Sequence, residues 1–229
     1  MRKRCLSIAL ALGLAACGSN APEPAPTPSA TAIPDTPPLM GPERHILAFG
    51  DSLFAGRGLA EDDSYPAKLE ISLRARGINA RIANAGVSGD TSAAGLARLT
   101  FTLDNQQQPP DLVLVELGGN DLLRGISPDQ TRANLAAILA ELKKRHLPAL
   151  LMGMKAPPNL GSDYERKFDA VYPAIAKRFG VPLVPFFLQS VYDKPDLIQD
   201  DHIHPTARGV EEIVGATAGD VAKALPKEG

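Results

Sequence analysis

The chain has 229 residues, with 24 basic against 26 acidic side chains, four histidines, two cysteines and no tryptophan. This near-even balance offers no basic stripe for nucleic acid and no polybasic patch for an anionic surface. Two cysteines cannot provide a disulfide framework, so the fold must stand on its apolar core.

Residues 1–16 read as an export leader. Arg2, Lys3 and Arg4 precede a short apolar run, and Leu14-Ala15-Ala16 supplies the small residues of a cleavage site. The apolar run is too short to cross a bilayer. "LAAC" resembles the lipobox of bacterial lipoproteins, in which the chain is cut before the cysteine and Cys17 carries the lipid. The alternative is a plain signal peptide in which Cys17 is incidental. Loss of the leader removes Arg2, Lys3 and Arg4, leaving 21 basic against 26 acidic residues, a net charge of −5. Cys5 goes with the leader, so no disulfide within one mature chain is expected.

Residues 17–42 are expected to be a tether. Pro22, Pro24, Pro26, Pro28, Pro34, Pro37, Pro38 and Pro42 alternate mainly with Ala, Thr, Ser and Glu, a composition that buries no core. In polyproline II, at about 3.1 Å per residue, residues 18–42 would reach about 78 Å. Residues 43–229 are the size of one domain.

Within that domain apolar runs alternate with helical patterns. Ile46 to Phe49 is the first predicted strand. A helix follows over Ser64 to Arg76, with Tyr65, Leu69 and Leu73 on one face and Gly77 as its stop. Ala80 to Ala85 is a weaker second strand, and Leu96, Leu99 and Leu103 suit the next helix. Leu112 to Leu117 is a buried strand. Ser127-Pro128-Asp129-Gln130 then opens a helix with an N-cap, a proline in the first turn and a capping-box partner. Its stripe is Leu135, Ile138, Leu139 and Leu142. Ala149 to Met154 is strand four. Tyr164, Phe168, Val171, Tyr172, Ile175 and Phe179 face a core from a single predicted helix. Val181 to Phe186 is strand five. Val210, Ile213, Val214 and Val221 make the last helix amphipathic, with Thr217 a weak point in its stripe. Five strands separated by helices predict a parallel sheet covered on both faces. Ligands of such sheets bind at the carboxyl ends of the strands.

Four polar clusters fall at that edge. They are Gly50-Asp51-Ser52-Leu53, Ser88-Gly89-Asp90, Gly118-Gly119-Asn120-Asp121 and Asp201-His202-Ile203-His204-Pro205. Each alone is an ordinary turn. Together they supply a hydroxyl, an imidazole, a carboxylate and several oxyanion donors, the set that acyl transfer requires.

"FGDSL", "SGD", "GGND" and "DHIHP" resemble, in order, the four blocks of the SGNH, or GDSL, hydrolases. "NAGVSGDTSAAGL", "VELGGNDLLRG" and "LLMGMKAPPNLG" are similar to the arylesterase, thioesterase and lysophospholipase subgroup. The resemblance implies a flavodoxin-like three-layer α/β/α sandwich and hydrolysis of carboxylic esters and thioesters, with no cofactor and no metal. It places a Ser52-Asp201-His204 triad and an oxyanion hole of Ser52, Gly89 and Asn120. Ser52 would attack the carbonyl, His204 would take its proton, and Asp201 would fix the tautomer of His204. Gly89 is expected because a missing side chain lets the backbone approach the oxyanion closely. The implied partners are a small acyl ester or thioester and the envelope membrane reached through Cys17. The implied location is the periplasmic face, at the outer membrane if the source is Gram-negative.

Other readings stand beside these. Gly86-Val87-Ser88-Gly89-Asp90 nearly matches a G-x-S-x-G elbow but ends on Asp90. Asp51 is taken as a turn residue, and Glu116 as a buried residue that pairs locally. His146 is a surface residue in the last turn of its helix, and His45 is structural. Lys155 to Gly161 is either a substrate loop or a Pro-rich connector. A metal-dependent hydrolase would use Asp200, Asp201, His202 and His204, although one short loop rarely closes around a metal. A binding lipoprotein on a hydrolase fold is the third class.

Overall fold

The computed structural model describes residues 40–227. The leader, Cys17 and residues 18–39 of the tether lie outside the described residues. Five strands form the sheet: β1 (Met40–Gly50), β2 (Ile78–Gly86), β3 (Leu112–Glu116), β4 (Ala149–Met152) and β5 (Leu183–Val184). All neighbours are parallel, in the order β2-β1-β3-β4-β5. That is the flavodoxin-type order, with its switch point between β1 and β3. β1 and β3 run without polar interruption from Ile46 to Phe49 and from Leu112 to Val115, and every one of these residues is buried.

The main helices are α2 (Tyr65–Ala75), α3 (Ser92–Asp104), α5 (Pro128–Lys144), α7 (Val171–Phe179) and α8 (Ala207–Ala224). α2 packs beside α8, and α3, α5 and α7 pack in a row. The predicted capping holds at α5, where the Ser127 hydroxyl accepts from the Gln130 N–H at 3.3 Å. Two short helices open loops at the carboxyl edge: α1 (Ser52–Ala55) after β1 and α4 (Gly119–Leu123) after β3.

Four expectations change. The single helix expected across Tyr164 to Phe179 is two, α6 (Ser162–Asp169) and α7, meeting at Ala170. Pro173 is the reason: it has no N–H to donate back to Asp169, so it is tolerated only in the first turn of a new helix. Strand five shrinks from Val181–Phe186 to Leu183–Val184, because Pro182 and Pro185 flank it and cannot donate to a ladder. Strand one is longer than Ile46–Phe49. It begins at Met40, ahead of Glu43, pairs there with Ile78, and slips register before Arg44, where Pro42 sits in the irregular stretch. Thr217 is not a weak point. It is buried, donates to the Ile213 carbonyl at 2.7 Å and meets the Tyr65 hydroxyl at 2.8 Å, joining α8 to α2.

Candidate active site

Ser52 is the first residue of α1, immediately beyond the end of β1. The Asp51 carboxylate caps this helix by accepting the Leu53 N–H at 3.0 Å. Phe54 anchors it from below. Its ring stacks on Tyr65 at 5.2 Å, and both rings meet Phe187 edge-on. Burial of three aromatics under one turn fixes where the Ser52 hydroxyl points.

His204 comes from the loop before α8. An antiparallel bridge between Ile198 and Pro205 closes that loop. The Gln199 side chain pins it to the exit of α1 by donating to the Arg57 and Pro205 carbonyls at 2.9 and 2.8 Å. The His204 Nε2 lies 2.8 Å from Ser52 Oγ, and Nδ1 lies 2.5 Å from Asp201 Oδ2. The other Asp201 oxygen accepts the N–H groups of Ile203 and His204, both at 3.0 Å. Partial desolvation pushes the Asp201 carboxyl up. The bonds from the His204 N–H and ring and from Ile203 outweigh it and hold the carboxyl low, at about 2. Asp201 is therefore a carboxylate at neutral pH.

His202 takes φ +59 to turn this tight loop and is exposed. Asp200 is exposed as well, and no group of three or more His, Cys, Asp or Glu ligands assembles among the described residues. Asp201 is bonded to His204, and His204 in turn to Ser52.

The third block arrives through α4. Gly118 has φ +115, and a Cβ there would fall 2.2 Å from the Tyr172 hydroxyl, which donates to the Leu117 carbonyl. Glycine is thus required at the turn that swings Asn120 over the β1 end. One Asn120 Nδ2 hydrogen goes to Asp51 Oδ2 at 3.0 Å, which leaves the second without an acceptor among the described residues.

Gly89 lies on the loop after β2 with φ +88, but a Cβ there would meet nothing nearer than Arg124 Nη2 at 3.6 Å. The left-handed backbone itself calls for glycine here, a reason beside the expected approach to the oxyanion. Arg124, at the end of α4, donates to the Gly89 carbonyl at 2.7 Å and so ties the second block to the third. Neither the Ser52 N–H nor the Gly89 N–H has a backbone acceptor among the described residues.

Ser52, Gly89, Asn120, Asp201 and His204 line one cleft of about 300 Å³. Its walls include Leu53, Leu122, Leu123, Met154, Leu188 and Ile203. Of the Lys155 to Gly161 segment, Lys155 lines the cleft, and Pro158–Leu160 form a 3-10 turn. Ser88 is exposed and forms no part of the cleft, and Asp90 pairs with Arg98 at 2.6 Å. His146 takes φ +57 just beyond the C-cap of α5, one step past the helical turn expected for it. His45 is a strand residue whose ring faces Glu43 at 3.2 Å.

Three supports escaped the sequence reading. Asp121 is fully buried, yet it accepts the Ser92 N–H at 2.7 Å, the Ser92 hydroxyl, and the Thr131 hydroxyl at 3.0 Å. It anchors α4 to the N-terminus of α3, where a carboxylate is favoured. Arg98 stacks over Phe49 at 4.2 Å and donates to the Gly50 carbonyl at 2.9 Å. Asp51 is more than a turn residue, since it holds both α1 and Asn120.

The model of the GDSL-like Lipase/Acylhydrolase family matches residues 48–211. The chain belongs to that family. It is a carboxylic ester hydrolase of the SGNH class. It is 46% identical over 160 residues to "Thioesterase 1/protease 1/lysophospholipase L1" of Escherichia coli K12, covering 70% of this chain and 74% of that one. It is 38% identical over 180 residues to an arylesterase of Vibrio mimicus, covering 79% and 89%. Among solved structures, the SGNH-hydrolase family esterase AlinE4 is 65% identical. It aligns at a TM-score of 0.70 over 82% of this chain and 100% of its own. The five-stranded parallel sheet with helices on both faces is the fold of these hydrolases.

Proposed function

We propose that this protein hydrolyses small acyl esters and thioesters through an acyl-enzyme on Ser52, as an exported and lipid-anchored enzyme. The observation that carries the reading is the chain of hydrogen bonds from Asp201 through His204 to Ser52 at the floor of an apolar cleft.

The roles follow from the geometry. Ser52 Oγ attacks the acyl carbon while His204 Nε2 takes its proton. Asp201 holds Nδ1–H and stabilises the imidazolium that forms. The carbonyl oxygen becomes an oxyanion and is met by the Ser52 and Gly89 N–H groups and the second Asn120 hydrogen. His204 then gives its proton to the departing alkoxide or thiolate, leaving Ser52 acylated. Water enters, gives a proton to His204 and attacks the same carbon. Collapse returns the proton to Ser52 and frees the acid. The apolar walls suit an acyl chain or an aromatic leaving group, in keeping with relatives named thioesterase, lysophospholipase and arylesterase.

Covalent labelling tests the reading. A fluorophosphonate should modify Ser52, mapped by peptide mass, with and without chelator present. An adduct on Ser88 or Ser92, or labelling abolished by chelator, would overturn it. His202→Ala should keep its activity, and His204→Ala should not. A panel of acyl chain lengths on ester and thioester leaving groups then assigns the substrate.

The anchor rests on "LAAC" ahead of a Pro-rich tether. Gly18 after Cys17, rather than Asp, directs the protein to the outer membrane in a Gram-negative host. Cys17→Ala should abolish incorporation of labelled fatty acid, and a chain truncated before Met40 should keep its full rate on soluble esters. Unchanged incorporation in Cys17→Ala would remove the anchor.

A further inference from the structure

Behind the site lie two acids to which the reaction above gives no proton-transfer role. Register places Gly50, at the end of β1, beside Glu116, at the end of β3. Glu116 and Asp51 are thus neighbours. Glu116 is fully buried, and Asp51 is 2% exposed. The Asp51 N–H donates to Glu116 Oε2 at 3.3 Å, and Glu116 Oε1 has no partner among the described residues.

The groups facing this pair are accounted for. Arg98 donates to Asp90 and to the Gly50 carbonyl, and Arg57 and Lys155 line the cleft with Asp51 without bonding it. Burial pushes the Asp51 carboxyl up, and the bonds from Leu53, Glu116 and Asn120, with His204 across Ser52, pull it back towards the charged form. Tyr172 and Asp121 face the pair from the far side. The Tyr172 hydroxyl is committed to Leu117, and Asp121 to Ser92 and Thr131. Neither Asp51 nor Glu116 bonds a lysine or arginine among the described residues.

Two neighbouring buried carboxyls that bond no cation among the described residues resist both being charged. The donors decide which one is. Asp51 accepts the Leu53 N–H and the Asn120 amide, whereas Glu116 accepts one long backbone bond. We propose that Glu116 is a neutral carboxylic acid that steadies an ionised Asp51, and that Asp51 in turn aims the Asn120 amide at the oxyanion. Both are positioning residues. Burial and the Asp51 charge push the Glu116 carboxyl well above the usual range, in agreement. A neutral Glu116 also spares the developing oxyanion a further negative charge beside Asp51. The inference rests on Asn120 serving as an oxyanion donor.

The test is a double-mutant cycle on a soluble aryl acetate, with kcat and KM measured separately and folding followed by circular dichroism. Glu116→Ala should lower kcat about tenfold with KM within about twofold, as expected for a group that acts only in the transition state. Glu116→Gln, neutral and of the same shape, should stay within about twofold of wild type. On the Asn120→Ala background, Glu116→Ala should cost almost nothing more. The same tenfold loss on that background would show that Glu116 does not act through Asn120. A Glu116→Gln as poor as Glu116→Ala would remove the need for a neutral acid. Full activity of Asn120→Ala would remove the oxyanion reading, and this inference with it, while leaving the triad untouched.

Infrared difference spectra at neutral pH give a second readout that needs no activity and no alanine variant. Wild type minus Glu116→Gln should show the carbonyl stretch of a protonated carboxylic acid. Its absence would overturn the proposal even if Glu116→Ala failed to fold.

Discussion

The active site holds carboxyls in two opposite environments. Asp201 sits in an exposed loop, its side chain 39% accessible, and three hydrogen bonds from Ile203 and His204 keep it ionised down to about pH 2. Glu116 sits where β3 ends, with no exposure and no bonded cation among the described residues, and burial pushes its carboxyl well up. The same functional group is thus a permanent anion at one end of the site and a neutral acid at the other. Water access alone does not separate them. The count of donors aimed at each oxygen does, because a carboxylate with several N–H partners retains its charge and one with few gives it up on burial.

The largest effects are expected on the exposed side. Ser52→Ala sets the ceiling, a loss of roughly 10⁴ to 10⁶ in kcat. Asp201→Asn should come close, at roughly 10⁴, because an amide at that position reverses the preferred His204 tautomer. The melting temperature should fall only modestly, since the Asp201 side chain is 39% accessible and solvent screens its bonds. A variant that melts much lower yet turns over normally would make Asp201 a fold residue and erase the contrast.

Asn120 bridges the two environments, because its amide is bonded to Asp51 and the residue lines the cleft. Asn120→Ala should cost roughly 10² to 10³ in kcat, about 3 to 4 kcal/mol, with little change in KM. Asn120→Asp should be at least as poor, because a third carboxyl would stand against Asp51 and repel the oxyanion. Steady-state kinetics beside thermal melts decide between the roles. Normal turnover by a destabilised Asn120→Ala would make it a turn residue.

What could be read from the sequence divides along the same line. The clusters that hold Ser52, Gly89, Asn120, Asp201 and His204 stood out because strand ends in a parallel sheet converge on one edge, and the resemblance to the SGNH hydrolases singled out these residues within them. The parallel sheet follows from the alternation of apolar runs and its flavodoxin-like type from the family resemblance, but the lengths of strands one and five follow from neither. Pro182 and Pro185 trim one, and a bulge around Pro42 extends the other. Asp51 and Glu116 were visible as residues and opaque as a pair. They are 65 positions apart, and only the β1–β3 register brings them together. Asp121, Arg98 and Arg124 were hidden for the same reason. Their partners Ser92, Gly50 and Gly89 lie on other elements, and no local spacing announces them.

The contrast also predicts acid and alkaline behaviour of opposite sign. The Asp201 carboxyl is held below its unfolded value, so its contribution to stability is present above about pH 4 and is lost as the pH falls towards 2. Wild type should therefore lose stability faster than Asp201→Asn between about pH 4 and pH 2, as read from urea midpoints. Parallel curves would mean that the His204 and Ile203 bonds do not bias the charge of Asp201.

Glu116→Gln should show the reverse, and it is the finest test of the comparison. The folded Glu116 carboxyl is raised above its unfolded value. Below about pH 4 both states hold the proton, and the residue costs nothing. As the pH rises past that point, the unfolded chain ionises while the folded chain keeps its proton. Stability then falls with each further unit until the folded group itself titrates. Glutamine has no proton to lose. The melting temperature of Glu116→Gln relative to wild type should therefore climb from pH 4 to pH 8, with kcat at neutral pH within about twofold. The pH is the independent variable here because a packing defect would displace both curves by a constant amount and leave the difference flat. A flat difference would place the same charge on Glu116 in the folded and unfolded chains, and the distinction between the two carboxyl environments would collapse.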